Sequence, residues 1–224
     1  LEDDAAQAEM LTLWLTEADH DVHHKASGED FLSLIKNDTF DLLLIDWNVP
    51  DMEGTDVLEV VREGSDWKIP VIFVTSRDRD EDIVYALQHG ADDYMTKPAK
   101  RAEVLARIDA VARRALPDQR QHVQELPPFT LDTGNGVILK HGEPIKLTKK
   151  EYDLAVFLFK NRGRLLSRGY ILQNVWGRRP DLNTRTVDTH ISFIRNKLGL
   201  RPADGWRLSS VYQHGYRLEQ LDEA

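Results

Sequence analysis

Leu42-Leu43-Leu44-Ile45-Asp46 narrows the choice of fold more than any other stretch, because four apolar side chains run without alternation into a carboxylate and Trp47-Asn48-Val49-Pro50 ends the run at once. A strand exposed on one face would alternate, so an unbroken run suits a parallel strand covered on both faces by crossover helices. Asp46 then lies at the carboxyl end of a buried central strand, the edge where ligands and chemistry collect in open parallel sheets. Taken alone, one acid after one strand is equally the residue of a turn or helix cap.

Helices and strands alternate around it. After the acidic cluster Glu2-Asp3-Asp4, Leu11, Trp14, Leu15 and Ala18 recur at helical spacing; a weak strand near Val22 then precedes a helix using Phe31, Leu32 and Ile35. Beyond Asp46 come a helix with Val57, Leu58 and Val61, the strand Val71-Ile72-Phe73-Val74 ending on Thr75, and a helix with Ile83, Val84 and Leu87 stopped by His89-Gly90. Tyr94-Met95-Thr96 leads to Lys97-Pro98 and a last helix with Val104, Leu105, Ile108 and Val111. This order predicts a doubly wound parallel α/β domain.

Its strand ends bring Glu2, Asp3, Asp46, Thr75 and Lys97 to one edge. Clustered carboxylates repel each other, and a hard divalent cation such as Mg²⁺, which takes oxygen ligands and keeps waters, relieves the repulsion. Asp46 becomes a candidate nucleophile for a phosphoryl group whose oxygens Thr75 and Lys97 can meet.

On Glu2-Asp3, Asp46 with Pro50 and Gly54, Thr75, Gly90-Ala91-Asp92-Asp93-Tyr94 and Lys97-Pro98, residues 1–114 resemble the receiver domain of two-component response regulators. The resemblance implies that a sensor histidine kinase phosphorylates Asp46. It implies that Asp3, Asp46 and the main-chain carbonyl of Asn48 hold Mg²⁺, with Glu2 acting through water. By the same match Thr75 reads the phosphoryl group, Tyr94 swings inward when Thr75 moves, Lys97 pairs with the phosphate, and the Lys97–Pro98 bond is cis. Receivers of the OmpR/PhoB type pair on phosphorylation, which makes Asp92, Asp93, Glu103 and Arg107 the expected homodimer face. Apolar Ile83 stands where a basic residue usually opposes Glu103. The family also has a short apolar strand before the acidic pair, where only Leu1 precedes Glu2; the sequence is therefore expected to be incomplete at its start.

Charge divides the chain further. Residues 1–128 hold 13 Lys and Arg against 28 Asp and Glu, a balance of −15; residues 129–224 hold 16 against 10, a balance of +6, and the sum is the net charge of −9. An acidic half joined to a basic half suggests two domains, the second with a polyanionic partner. The 224 residues suffice for both. Residues 115–128, polar and bounded by prolines, read as a solvated linker. No stretch approaches the roughly 18 apolar residues of a membrane span. No signal peptide is visible, and the absence of cysteine excludes disulfides and thiolate metal sites, so a cytoplasmic protein is expected.

In residues 129–224, short strands at Phe129-Thr130-Leu131-Asp132 and Gly136-Val137-Ile138-Leu139 precede three helices. Thr148-Lys149-Lys150-Glu151 has the capping-box form, Ser167 caps the second helix, and Val187, Ile191, Ile194 and Leu198 stripe the third, from about Thr184 to Leu198. Together with Thr184-Arg185-Thr186-Val187-Asp188-Thr189-His190-Ile191 and a terminal ribbon from Trp206 to Leu218, this half resembles the winged-helix effector domain of OmpR/PhoB-type regulators. The resemblance implies double-stranded DNA as partner, the third helix as recognition helix, the ribbon as wing, and the loop at 177–183 facing RNA polymerase. Candidate DNA-contact residues are Arg185, Thr186, Thr189, His190, Ser192, Phe193, Lys197, Ser210, Tyr212 and Arg217, with Arg185, Lys197 and Arg217 as phosphate contacts. Ser192, Phe193 and Tyr212 stand where better-known members are often basic, and Phe193 suits a thymine methyl group.

The function implied is a phosphorylation-controlled transcriptional regulator, not an enzyme that turns over an external substrate. A phosphatase with Asp46 as nucleophile is the alternative enzyme reading, although such enzymes carry a second Asp where this chain has Asn48. A regulator that binds DNA constitutively is the other.

Overall fold

Leu43–Ile45 (β1), Val71–Thr75 (β2) and Asp93–Thr96 (β3) form a parallel sheet in the order β1-β2-β3, with Ile45 opposite Phe73 and Thr75 opposite Thr96. The computed structural model describes residues 1–63, 68–115, 123–177 and 183–221. Ala5–Thr16 (α1), Gly28–Asn37 (α2), Gly54–Glu63 (α3), Asp80–Gln88 (α4) and Arg101–Ala115 (α5) cover the sheet. Alternation along β2 decides which helix meets which face. Val71 and Phe73 pack with Phe31, Val57, Leu58 and Ala86 of α2, α3 and α4, whereas Ile72 and Val74 pack with Leu11, Leu15, Val104 and Ile108 of α1 and α5. All five residues of β2 are buried, as a strand covered on both faces requires. The doubly wound domain expected from the sequence is the one observed.

Two strand expectations change. No strand forms near Val22; the backbone there contributes one bond, from the Glu2 N–H to the Lys25 carbonyl, at 3.1 Å. The Asp46 strand, expected to be central, pairs with β2 on one side only. On its other side Leu1 alone supplies ladder bonds, donating to the Leu44 carbonyl at 2.8 Å and accepting from the Asp46 N–H at 3.0 Å.

The chain divides into two compact units, the break falling between α5 and the next strand. That strand, Val123–Leu126 (β4), pairs with Phe129–Asp132 (β5), which is followed by Val137–Lys140 (β6) and Glu143–Pro144 (β7) in an antiparallel sheet ordered β4-β5-β6-β7. The end of the expected linker is therefore an edge strand; 116–122 lie outside the described residues. A four-residue strand with one core side chain, Leu126, carries no period that a sequence can reveal, and its partner strand supplies the pairing.

Lys149–Lys160 (α6), Arg168–Trp176 (α7) and Arg185–Leu198 (α8) follow, and Leu166–Ser167 (β8), Trp206–Val211 (β9) and Gly215–Gln220 (β10) make a second sheet ordered β8-β10-β9. The apolar stripe of α8 is buried as the periodicity predicts. At the centre of this core Trp206 meets Phe159 and Phe129 at ring distances of 5.1 and 6.1 Å, and its indole N–H donates to the Pro127 carbonyl at 2.9 Å. Among the described residues no helix is long and apolar enough to cross a membrane.

Thr148 and Glu151 form the expected capping box on α6, the Thr148 N–H donating to the Glu151 carboxylate at 2.7 Å. Glu151 is nearly fully buried, and Lys197 Nζ donates to both of its carboxylate oxygens at 2.7 Å. Lys197, exposed at the surface and expected from the sequence to contact phosphate, is thus also tied to α6. Burial works to raise the Glu151 pKa, but the hydrogen bonds from Lys197 and Thr148 outweigh it and hold the carboxyl below its usual range. A carboxyl whose pKa is lower in the folded than in the unfolded chain stabilises fully above the unfolded pKa; the contribution disappears as pH falls through the folded value. Glu151→Gln is therefore expected to lower stability by about 1–2 kcal/mol near neutral pH. In thermal unfolding of the two proteins, that gap should narrow progressively below about pH 4.5.

Candidate functional site

The parallel strand ends bring the predicted acids together: Glu2, Asp3 and Asp46 each offer a carboxylate oxygen, all within 4.8 Å of one another. Glu2 and Asp46 are buried, and Asp3 is exposed. Between the buried pair sits Lys97 Nζ, 2.6 Å from Asp46 Oδ2 and 2.7 Å from Glu2 Oε2. Burial raises the Glu2 pKa against the opposing pull of Lys97. Desolvation also works against the Lys97 ammonium, but its hydrogen bonds to Asp46 and Glu2 prevail and keep its pKa above the ordinary value. Thr75, fully buried at the end of β2, accepts from the Arg77 N–H at 3.4 Å, and its carbonyl accepts from the Lys97 N–H at 2.8 Å. The Lys97–Pro98 bond is cis, as expected. Asp46 Oδ1 accepts from the Asn48 N–H at 3.3 Å.

The loop after Asp46 is tied down at both ends. Asp51 accepts from the first backbone N–H groups of α2, at Gly28 and Glu29, each at 2.8 Å, which satisfies donors a helix start leaves unpaired. Gly54 opens α3 against the strand end: a Cβ there would stand 2.2 Å from the Asp46 carbonyl oxygen. An alanine has no room without moving the Asp46 backbone.

Tyr94, the residue expected to move with Thr75, is buried against Phe73, stacked with ring centroids 6.0 Å apart, and its hydroxyl donates to the Arg77 carbonyl at 3.0 Å. Burial pushes that hydroxyl's pKa up to about 12. Asp92, expected on the dimer face, accepts from Arg62 at 3.0 Å and from the Val71 N–H at 2.8 Å, fastening α3 to β2. Asp93, Glu103 and Arg107 do lie together, and Arg107 pairs with both acids, at 3.0 and 2.9 Å, inside one chain.

Arg77 was not apparent from the sequence as a site residue. Its guanidinium lies 4.7 Å over the Trp47 ring and 3.3 Å from Asp82, and its backbone meets both Thr75 and Tyr94. Only its place two residues after Thr75 could have signalled it.

In the second unit, Arg185, Thr189, Ser192, Phe193 and Asn196 are exposed on the face of α8 opposite its core stripe; Thr186 and His190 are half-buried. Ser210 and Tyr212 lie at and beyond the end of β9, Tyr212 being 85% exposed, and Arg217 lies in β10 opposite Ser209. Residues 178–182 of the expected polymerase-facing loop lie outside the described residues. A carboxylate near the start of α8 would repel DNA phosphates. Asp188, placed there, has its Oδ1 occupied by Arg168 of α7 at 2.8 Å and by the Tyr216 hydroxyl of β10 at 2.6 Å. Burial raises its pKa but those two donors hold it below the usual range. They also lock α7, α8 and the wing strand to one another.

A buried aspartate with a bridging lysine, followed by a helix and wing with an outward basic and polar face, defines a receiver joined to a DNA-binding effector. Family models agree: one for the response regulator receiver domain matches residues 1–109, and one for the C-terminal domain of transcriptional regulatory proteins matches residues 142–218. The chain belongs to the two-component response regulators of the OmpR/PhoB type. Sensory transduction protein RegX3 of Mycolicibacterium smegmatis is 37% identical over 223 residues, 98% of this chain and 97% of its own. Response regulator ArlR of Staphylococcus aureus is 33% identical over 198 residues, 88% of each. The crystal structure of response regulator DrrB, a Thermotoga maritima OmpR/PhoB homolog, is 26% identical with a TM-score of 0.46 and covers 97% of this chain and 96% of that one. Regulators of this kind work with sensor kinases and DNA and are not metabolic enzymes.

Gly54→Ala is expected to lower receiver stability by about 1–3 kcal/mol, the usual range for overpacking. It should also slow phosphorylation by a small phosphodonor, followed by intact mass, while leaving binding of the unphosphorylated chain to DNA unchanged.

Proposed function

We propose that Asp46 accepts a phosphoryl group from the phosphohistidine of a sensor kinase and that this modification raises affinity for promoter DNA. An Asp46 carboxylate oxygen attacks phosphorus, the phosphorus–nitrogen bond of the donor breaks, and the imidazole leaves. The observation that carries the reading is the Lys97 ammonium held between Asp46 and Glu2 with Asp3 beside them. A site with a fixed cation and spare carboxylates is built to take on further negative charge only together with another cation. The donor set of Glu2, Asp3, Asp46 and the Asn48 carbonyl is all oxygen, which fits Mg²⁺. When bound, the ion offsets charge on the phosphoryl oxygens. Lys97 remains within reach of the modified Asp46, and the Thr75 hydroxyl lies at the end of the neighbouring strand to meet a phosphoryl oxygen. Arg77, whose N–H meets Thr75, whose carbonyl accepts from Tyr94 and whose guanidinium meets Asp82, couples that contact to α4.

The face formed by α4, β3 and α5 serves as the homodimer surface. Val84, Tyr85 and Leu87 of α4 are exposed there, and Arg107 can exchange an internal acid for one on a second copy. Residues 1–114 act as receiver and 129–224 as effector, the latter with the strand at 123–126 added. DNA binds along α8 and the wing, with Arg185 and Arg217 on phosphates, so affinity falls steeply with salt. A loop at 177–183 faces RNA polymerase. The protein works in the cytoplasm.

With a small phosphodonor and Mg²⁺, the wild-type chain should take up one phosphoryl group and bind its DNA site about tenfold or more tightly, within the usual 1–3 kcal/mol of coupling between linked sites. Asp46→Asn should take up none and show the same DNA affinity with and without donor. Sustained release of phosphate from an ester substrate, or equal gains by both proteins, would count against the reading.

A further inference from the structure

We propose that the recognition helix reads thymine through an apolar strip in which the Phe193 ring and the Thr189 methyl group pack on the thymine 5-methyl group in the major groove. The inference rests on the DNA-binding reading above and names the base it selects.

Phe193 is 49% exposed although it lies on a helix whose core stripe is complete without it. Among the described residues of the second unit, the large apolar side chains left exposed are Val123, Phe193 and Tyr212; the last two occupy the helix and the wing tip. An exposed phenylalanine gains nothing in the free protein, since apolar area left in water contributes no burial energy. This one is also held in place. Its ring meets His190 edge-on at 6.3 Å, and His190 meets Trp176 edge-on at 5.0 Å, an arrangement aromatic quadrupoles favour. The His190 Nδ1–H donates to the Thr186 carbonyl at 2.8 Å, which fixes that ring. An aromatic side chain braced in this way loses little conformational entropy on contact.

One neighbour on the same face, among polar ones such as Ser192 and Asn196, adds an apolar group. Thr189, one turn before Phe193 and on the same face, spends its hydroxyl on the Arg185 carbonyl at 3.2 Å and keeps its methyl group for the surface. Between the two exposed positions 192 and 193 there is one small hydroxyl and no forked donor, so the bidentate contact that reads guanine cannot form there. Of the four bases, only thymine places an apolar group in the major groove. The strip and the methyl group are matched in polarity, and Arg185 at the start of the same helix supplies the phosphate attraction that brings them together.

The test uses the phosphorylated full-length chain and a binding site selected from random duplexes. Each thymine in that site is replaced in turn by uracil, which removes the methyl group and leaves every hydrogen-bonding edge unchanged. At one or two positions per half-site, affinity is expected to fall by about fourfold, the worth of one buried methyl group. Phe193→Ala should abolish the sensitivity at those positions. If no uracil replacement changes binding, or if wild type and Phe193→Ala respond equally, the inference is overturned while the DNA-binding reading stands. If Phe193→Ala loses self-association and not uracil sensitivity, Phe193 faces a second copy of the chain and the inference is likewise overturned. Failure to bind any duplex with or without phosphorylation would overturn the DNA-binding reading itself.

Discussion

The ammonium of Lys97 between Asp46 and Glu2 is the interaction on which the receiver depends. Two carboxylates buried side by side and unpaired would each cost several kcal/mol of desolvation or force one to take up a proton. Lys97, within 2.7 Å of both, supplies the countercharge. The rest of the domain keeps those groups at that distance: the parallel register places Thr75 and Thr96 level with each other, so that Lys97 emerges beside the end of β2. The loop after Asp46 is pinned to α2 by Asp51, and Gly54 lets α3 start against the Asp46 carbonyl. An arrangement balanced by one fixed cation is sensitive to any charge added to Asp46.

The effector unit solves the opposite problem. Its surface must attract phosphate, yet its capping and cross-linking residues include acids. Glu151 and Asp188 are the clearest cases, and each is matched with a basic partner, Lys197 and Arg168. Lys197, at the surface of α8, is shared in this way with the cap of α6. The gain is rigidity, because Asp188 joins two helices and the wing through Arg168 and Tyr216. A helix and wing that must engage one duplex together bind with less entropy loss when their relative position is already set.

Much of this was legible in the chain because it is local. Apolar runs and their periods located the three parallel strands and the helices around them, the capping signals at Thr148 and Ser167 placed two helix starts, and the strand-end residues named the receiver site. The edge strand at Val123–Leu126 was missed, since a short polar strand has no pattern of its own and exists only through its pairing with Phe129–Asp132. No strand forms near Val22, where a single valine stands among Asp21, His23, His24 and Lys25 and no ladder is there to join.

By itself, then, the sequence determined which chemical groups stand at the strand ends and which face of the recognition helix is apolar, because both follow from spacing along one segment. Only the tertiary structure decided how charged and polar groups far apart in sequence are paired. Asp92 pairs with Arg62, Lys197 with Glu151, and Tyr94 packs against Phe73. The physical reason is that an ion pair or a ring contact depends on which distant side chains arrive within a few ångströms, and no local period encodes that meeting.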